Sequence, residues 1–205
     1  MTTIVRDLAT CLPLESGDRL TRDEFERRYE TRPDIKKAEL VEGVVYVASP
    51  VRISQHAEPH GRMVFWIGAY VAKHPECRFA DNGTVRLDEQ NEPQPDVLLY
   101  RSGPDRVDED DYLAGAPELA VEVSASSASY DLGPKMEAYR RNGVREYIVW
   151  QILEERIDWF RLRDGEYEPV APTRGVIESV EFPGLRLDVG AMLAGDLAAV
   201  QAALS

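Results

Sequence analysis

Two short apolar runs, each carrying one carboxylate, constrain this chain more than any other feature. Pro95–Tyr100 reads PDVLLY, and Glu118–Ser124 reads ELAVEVS. Both have the composition of strands. Asp96 opens the first run and Glu122 sits near the end of the second. An acid inside a buried strand is expensive unless it is paired or holds a cation. Two such acids on neighbouring strands can share one divalent ion, and hard oxygen ligands suit Mg²⁺ or Mn²⁺. Lys135 follows Glu122 by 13 residues, on a predicted helix. A cation there can stabilise negative charge developing beside a metal and a phosphate. Each acid taken alone also has an ordinary reading: Asp96 as a turn terminator, Glu122 as the partner of an arginine.

The order PD…ExV…K resembles the PD-(D/E)XK nuclease superfamily. More narrowly it resembles a bacterial family of candidate restriction endonucleases, long known as a domain of unknown function. The matching segments are AELVEGVVYVASP (Ala38–Pro50), EPQPDVLLY (Glu92–Tyr100), Ala116–Trp150 and FPGLRLD (Phe182–Asp188), within roughly residues 25–190. The resemblance implies a restriction-endonuclease-like fold, with Asp96 and Glu122 as ligands of Mg²⁺ or Mn²⁺ and DNA as the substrate. The superfamily's lysine usually stands two residues after the second acid, and that position here is Ser124. Its counterpart is expected on the following helix, at Lys135. Glu42, in the family-like ELVEG, is a candidate third acid and metal ligand, with a solvated turn acid as the alternative. A histidine near the start of a helix is also a family feature, which points to His56 or His60 as a residue facing the site. Such a histidine can orient a phosphate or a water near neutral pH.

The whole chain sets broader limits. At 205 residues a single domain is expected over 1–205, with a core over 38–190 and a loose or edge segment over 1–20. No apolar run is long enough for a membrane span. The first residues lack the basic start and apolar core of a secretion signal, and Cys11 and Cys77 form no metal or disulfide pattern. Reduced thiols in a cytoplasmic protein are the expectation. The net charge of -13 argues against a generic nucleic-acid binder but leaves room for a local basic face. Arg52, Arg62, Lys73, Arg140, Arg141 and Arg145 are the candidates, yet they form no evident stripe.

Along the chain, Thr21–Glu30 reads as a short helix capped by Thr21 with Glu24, its inner face Phe25 and Tyr29. Ala38–Ala48 reads as a hairpin turning at Gly43. His56 and His60 have a zinc-like i, i+4 spacing, but Pro59 lies between them and no third soft ligand is apparent. The helix there is expected to start between Glu58 and Gly61 and run to about Lys73, largely buried. Cys77–Ala80 and Thr84–Leu87 read as strands around an Asp81-Asn82-Gly83 turn. Asp108–Asp111 is a charge run without calcium-loop spacing. Ser124–Ser129 is hydroxyl-rich, and no G-x-S-x-G elbow supports a serine hydrolase. Asp131 is a candidate cap of the next helix, with Lys135, Tyr139 and Asn142 on one face and Gly143 ending it. Arg145–Trp150, Arg156–Leu162 and Tyr167–Val170 read as a meander with an Asp164-Gly165 turn, and Ala191–Leu204 as a closing helix over the sheet or a second subunit.

The expected class is therefore α/β (α+β): an αβββαβ core with a mixed sheet, an N-terminal hairpin and a C-terminal meander. The expected activity is metal-dependent endonucleolytic hydrolysis, with no membrane partner and compatibility with a homodimer. Two rivals come from other classes. One is a non-catalytic binding or regulatory module on the same fold, favoured mildly by the acidic charge. The other is a hydrolase of a small phosphorylated molecule.

Overall fold

The computed structural model describes residues 12–204, built around a six-stranded mixed sheet. The N-terminal part holds α1 (Arg22–Tyr29) and the hairpin β1 (Ala38–Val41) and β2 (Val44–Val47). A π-helical turn (Ile53–Ala57) then runs into α2 (Glu58–Val71), followed by β3 (Cys77–Asp81), β4 (Val85–Arg86), β5 (Val97–Arg101), β6 (Leu113–Ala114) and β7 (Leu119–Ser124). The crossover to β8 (Glu146–Gln151) consists of α3 (Ala128–Tyr130), a second π-helical turn (Asp131–Lys135) and α4 (Met136–Asn142). The chain continues through β9 (Arg156–Arg163), β10 (Glu166–Pro169), β11 (Val176–Glu178), β12 (Arg186–Asp188), α5 (Val189–Ala194) and α6 (Leu197–Ala203).

The main sheet has the order β10-β9-β8-β7-β5-β3. Only the β7–β8 pair is parallel, as a helical crossover requires; the other neighbours are antiparallel. This is the expected α/β arrangement, with β3, β5, β7, the crossover and β8 in sequence. β7 and β8 are buried at every position, which explains why their apolar residues fall on both faces of the sheet. Leu119, Val121 and Val123 of β7 pack with Met63, Trp66, Ile67 and Tyr70, a single i, i+3, i+4, i+7 stripe of α2. The alternate β7 residue Ala120 joins Tyr139, Val144 and Tyr147 on the other face, under α4. The two-residue period therefore turns Glu122 toward α4. Phe65 is only partly buried, so α2 is amphipathic rather than buried all round.

The hairpin has a two-residue loop, with Val41 opposite Val44 and positive φ at both Glu42 (53°) and Gly43 (69°). That is the type I′ geometry matching strand twist. Asp164-Gly165 repeats it between β9 and β10. Ala38, Leu40 and Val45 close a small core with Leu14 and Phe25. The outer edge of β1 docks on the chain before β5, where Leu40 and Glu92 exchange backbone hydrogen bonds. Residues 12–20 run beside this hairpin, with Gly17 and Leu20 donating to its carbonyls. The rest of the expected N-terminal segment, residues 1–11 with Cys11, lies outside the described residues. Cys77 is a buried free thiol.

Several local expectations are corrected. Thr21 makes no side-chain cap; Glu24 is held instead by Arg27 and Arg28. β4 shrinks to two residues and pairs in parallel with β6, outside the main sheet. The Ala191–Leu204 helix is broken at Gly195, whose φ of 77° ends α5, and Asp196 caps α6. Asp131 caps nothing, because its carboxylate is turned inward.

Candidate active site

The two acid-bearing runs are neighbours. β5 and β7 pair antiparallel with Val97 opposite Val121, so one step outward the same register brings Asp96 opposite Glu122. Asp96 is buried, and its carboxylate is fully engaged. Oδ2 accepts the Val123 backbone N–H at 2.8 Å and lies 3.2 Å from His56 Nε2; Oδ1 accepts from Lys37 Nζ at 3.2 Å. Burial alone would push this carboxyl up, but the His56 hydrogen bond and the charges of Lys37, His56 and Lys135 outweigh it. Asp96 is thus held well below the ordinary carboxylate range and is an anion at any working pH.

Glu122, Lys135 and Glu39 form a fully buried cluster beside it. Lys135 Nζ lies 2.8 Å from Glu122 Oε1 and 2.8 Å from Glu39 Oε1. Tyr139 donates its hydroxyl to Glu122 Oε1 at 3.0 Å. Glu39 Oε1 also accepts the Gln94 backbone N–H at 2.7 Å, which ties the hairpin to the strand carrying Asp96. Burial pushes Glu122 well up, against the pull of Lys135, and the nearby Asp96, Asp131 and Glu39 add to the rise. Burial opposes the charge on Lys135, but Glu122 and Glu39 hold it firmly as an ammonium. Asp131 lies 2.5 Å from Ser124 Oγ and 2.7 Å from Ser127 Oγ, accepting both hydroxyls, and burial raises it as well. It neither caps nor directly pairs with Lys135. Gln94 donates its backbone N–H to Glu39 of β1 and its side-chain amide to Thr84 Oγ1.

Local irregularity delivers two of these side chains. Gly133 (φ -114°, ψ -110°) and Pro134 sit inside the second π-helical turn, where a regular helix would clash with the proline ring. The widened turn places Lys135 against β7. The first π-helical turn does the same for His56, and Pro59 falls in the first turn of α2, where it is tolerated. His56 and His60 both reach the site, with rings 5.5 Å apart. His60 Nε2 lies 2.9 Å from the Asp96 carbonyl oxygen and 3.0 Å from Asp81 Oδ1. Both neighbours are acceptors, so the proton is assigned to Nε2. His56 Nδ1 is buried without a partner.

These groups line one cleft of about 1160 Å³, shared by the loop after β2, the start of α2, the ends of β5 and β7, and the crossover. Residues 22–190 match the Uma2 family, described as putative restriction endonucleases. The chain belongs to this family. A crystal structure of a putative nuclease of the DUF820 family from Anabaena variabilis shares its fold, with a TM-score of 0.65 and 17% identity over 85% of this chain and 98% of that one. Among curated proteins none matches.

In this Uma2 member the structure gathers Asp96, Glu122, Lys135, His56 and His60 but leaves Glu42 out. Glu42 sits in the hairpin turn and pairs with Arg141. The hairpin's contribution is Glu39 instead, which the sequence reading missed. Its signal was period two: with Leu40 in the hairpin core, Glu39 must face the other way, and a buried acid there needs a partner. The basic candidates mostly serve the fold. Arg62 donates to the last carbonyls of α5, while Arg140 and Arg145 pair with Glu137 and Glu181. Arg52, which hydrogen-bonds Gln55, is the candidate that lines the cleft.

The donor set fits a hard divalent cation: two buried carboxylates at facing register positions, opening on a cleft. Among the described residues no three His, Cys, Asp or Glu side chains are grouped as ligands of one ion. An ion held by Asp96 and Glu122 alone would complete its shell with water and a substrate oxygen, which is how Mg²⁺ is commonly held. Among the described residues no helix is long and apolar enough to cross a membrane.

Proposed function

We propose that this Uma2 member is a divalent-metal-dependent endonuclease that hydrolyses phosphodiester bonds, with DNA as its substrate. The observation that carries the reading is an excess of buried acidic side chains over buried basic ones. Glu39, Asp96, Glu122 and Asp131 are all buried around one buried ammonium, Lys135. Such an excess is stabilised either by taking up protons or by taking up a cation. Asp96, held ionised, and Glu122 would hold Mg²⁺ or Mn²⁺. Bound there, the ion supplies Lewis-acid polarisation of a phosphoryl oxygen and a more acidic water.

The rest belongs to the protein's own groups. Lys135 is fixed as an ammonium by Glu39 and offers its N–H groups to charge developing on phosphoryl oxygens. His56 orients the Asp96 carboxylate through Nε2, leaving Nδ1 as the ring nitrogen without a protein partner. His60 steadies the end of β5 through the Asp96 carbonyl. The test is cleavage of supercoiled and single-stranded DNA in Mg²⁺, Mn²⁺ or EDTA, by wild type, Asp96→Asn and Glu122→Gln. The reading expects cutting by wild type with metal only. Equal cutting in EDTA, or wild-type rates from Asp96→Asn, would sink it.

A further inference from the structure

The mouth of the cleft has the wrong character for a duplex track. The cleft lining as a whole holds five acidic side chains, four of them on its buried floor, against three lysine or arginine side chains. Lys37 and Lys135 are already engaged with carboxylates, whereas Arg52 makes its hydrogen bond to Gln55. A surface that grips duplex backbone needs several phosphate contacts. In their place stands an apolar lip. Val51 and Ile53, on the segment entering α2, are 64% and 68% exposed, and Leu153, in the turn after β8, is 64% exposed. Val51 and Leu153 both line the cleft that holds Asp96 and Glu122. Tyr46 and Tyr130 line the same cleft, their rings tilted against each other with centroids 4.1 Å apart. Two of the seven large exposed hydrophobics among the described residues, Val51 and Leu153, thus line this one cleft from two separate segments, with Ile53 two residues from Val51.

Resting on the nuclease reading above, we propose that this lip selects single-stranded or unpaired nucleic acid. The contacts are apolar, between exposed base faces and Val51, Ile53 and Leu153, while one phosphate descends to the Asp96–Glu122 floor. In a duplex the base faces are stacked away and unavailable. In a single strand they are open, and their burial supplies affinity without many ion pairs. The chemistry is common to DNA and RNA, so both are probes.

The test uses fluorescence anisotropy of the full chain with labelled dT and U oligonucleotides of about 12 residues and a hairpin duplex of mixed sequence, in EDTA and in Ca²⁺ over a salt series. The proposal expects a single-strand preference with a salt slope of about -1 to -2, far shallower than a multi-phosphate duplex site. Val51→Asp and Leu153→Asp should each weaken single-strand binding about tenfold. Both positions are exposed, so the melting temperature should not move. Duplex binding as tight as single-strand binding would overturn the proposal. So would unchanged binding by the lip variants, including the case where they only dissociate a dimer on sedimentation. Cleavage of the same oligonucleotides is scored separately: a wild type that binds but never cuts counts against the nuclease reading, and the binding arm still decides this one.

Discussion

Replacing Lys135 with methionine isolates the charge at the centre of the site. The ammonium is buried, 2.8 Å from one oxygen of Glu122 and 2.8 Å from one of Glu39. At an effective dielectric constant of about 20, each contact contributes about 6 kcal/mol of gross attraction, offset by the desolvation of all three charges. Methionine fills nearly the same space without a charge, so cavity terms are small. What remains is the cost of leaving buried carboxylates uncompensated, about 3–5 kcal/mol. For a chain of this size that is a drop in melting temperature of about 6–20 °C. Urea unfolding in EDTA measures it. Added Mn²⁺ should then recover more stability in Lys135→Met than in wild type, because the ion no longer competes with the ammonium for Glu122. A loss below about 1 kcal/mol in EDTA would refute the reasoning, since it would mean that the carboxylates are neutral without Lys135.

Glu92 offers a pH test away from the site: burial, then the neighbouring Glu26, pushes its carboxyl up to about 9. The folded state keeps this proton while the unfolded state releases it near 4.5, so Glu92 makes stability fall as pH rises from about 4.5 to 9. Glu92→Gln should remove that decline and gain roughly 2–4 kcal/mol at pH 8, read by urea unfolding at pH 5 and 8; an unchanged slope would contradict it. Glu42→Ala, which breaks only the half-exposed pair with Arg141, should leave metal binding and cleavage at wild-type levels, whereas Glu39→Gln should lower cleavage by freeing Lys135. The reverse result would return the third acid to the turn.

The legible parts of this protein were those set by local pattern. The strand runs around Asp96 and Glu122, the Gly43 hairpin and the helix end at Gly143 follow from periodicity and backbone freedom. What stayed hidden depends on tertiary pairing. Glu42 was chosen over Glu39 because motif context outweighed the two-residue alternation that sets which face an acid occupies. The π-helical turn at Gly133-Pro134 carried a warning, a proline inside a helical pattern, but only packing against β7 converts it into the placement of Lys135. The split at Gly195-Asp196 was likewise signalled, by a glycine followed by a capping residue. Arginines such as Arg62 and Arg141 could not be separated from substrate contacts by sequence, because their partners lie far along the chain.

The most direct measurement is a Mn²⁺ and Mg²⁺ titration by calorimetry on wild type, Asp96→Ala and Glu122→Ala, each first shown to be folded. The account predicts one site in wild type and its loss in both variants. No heat in wild type, or equal binding in all three, would contradict the claim that Asp96 and Glu122 hold a divalent ion.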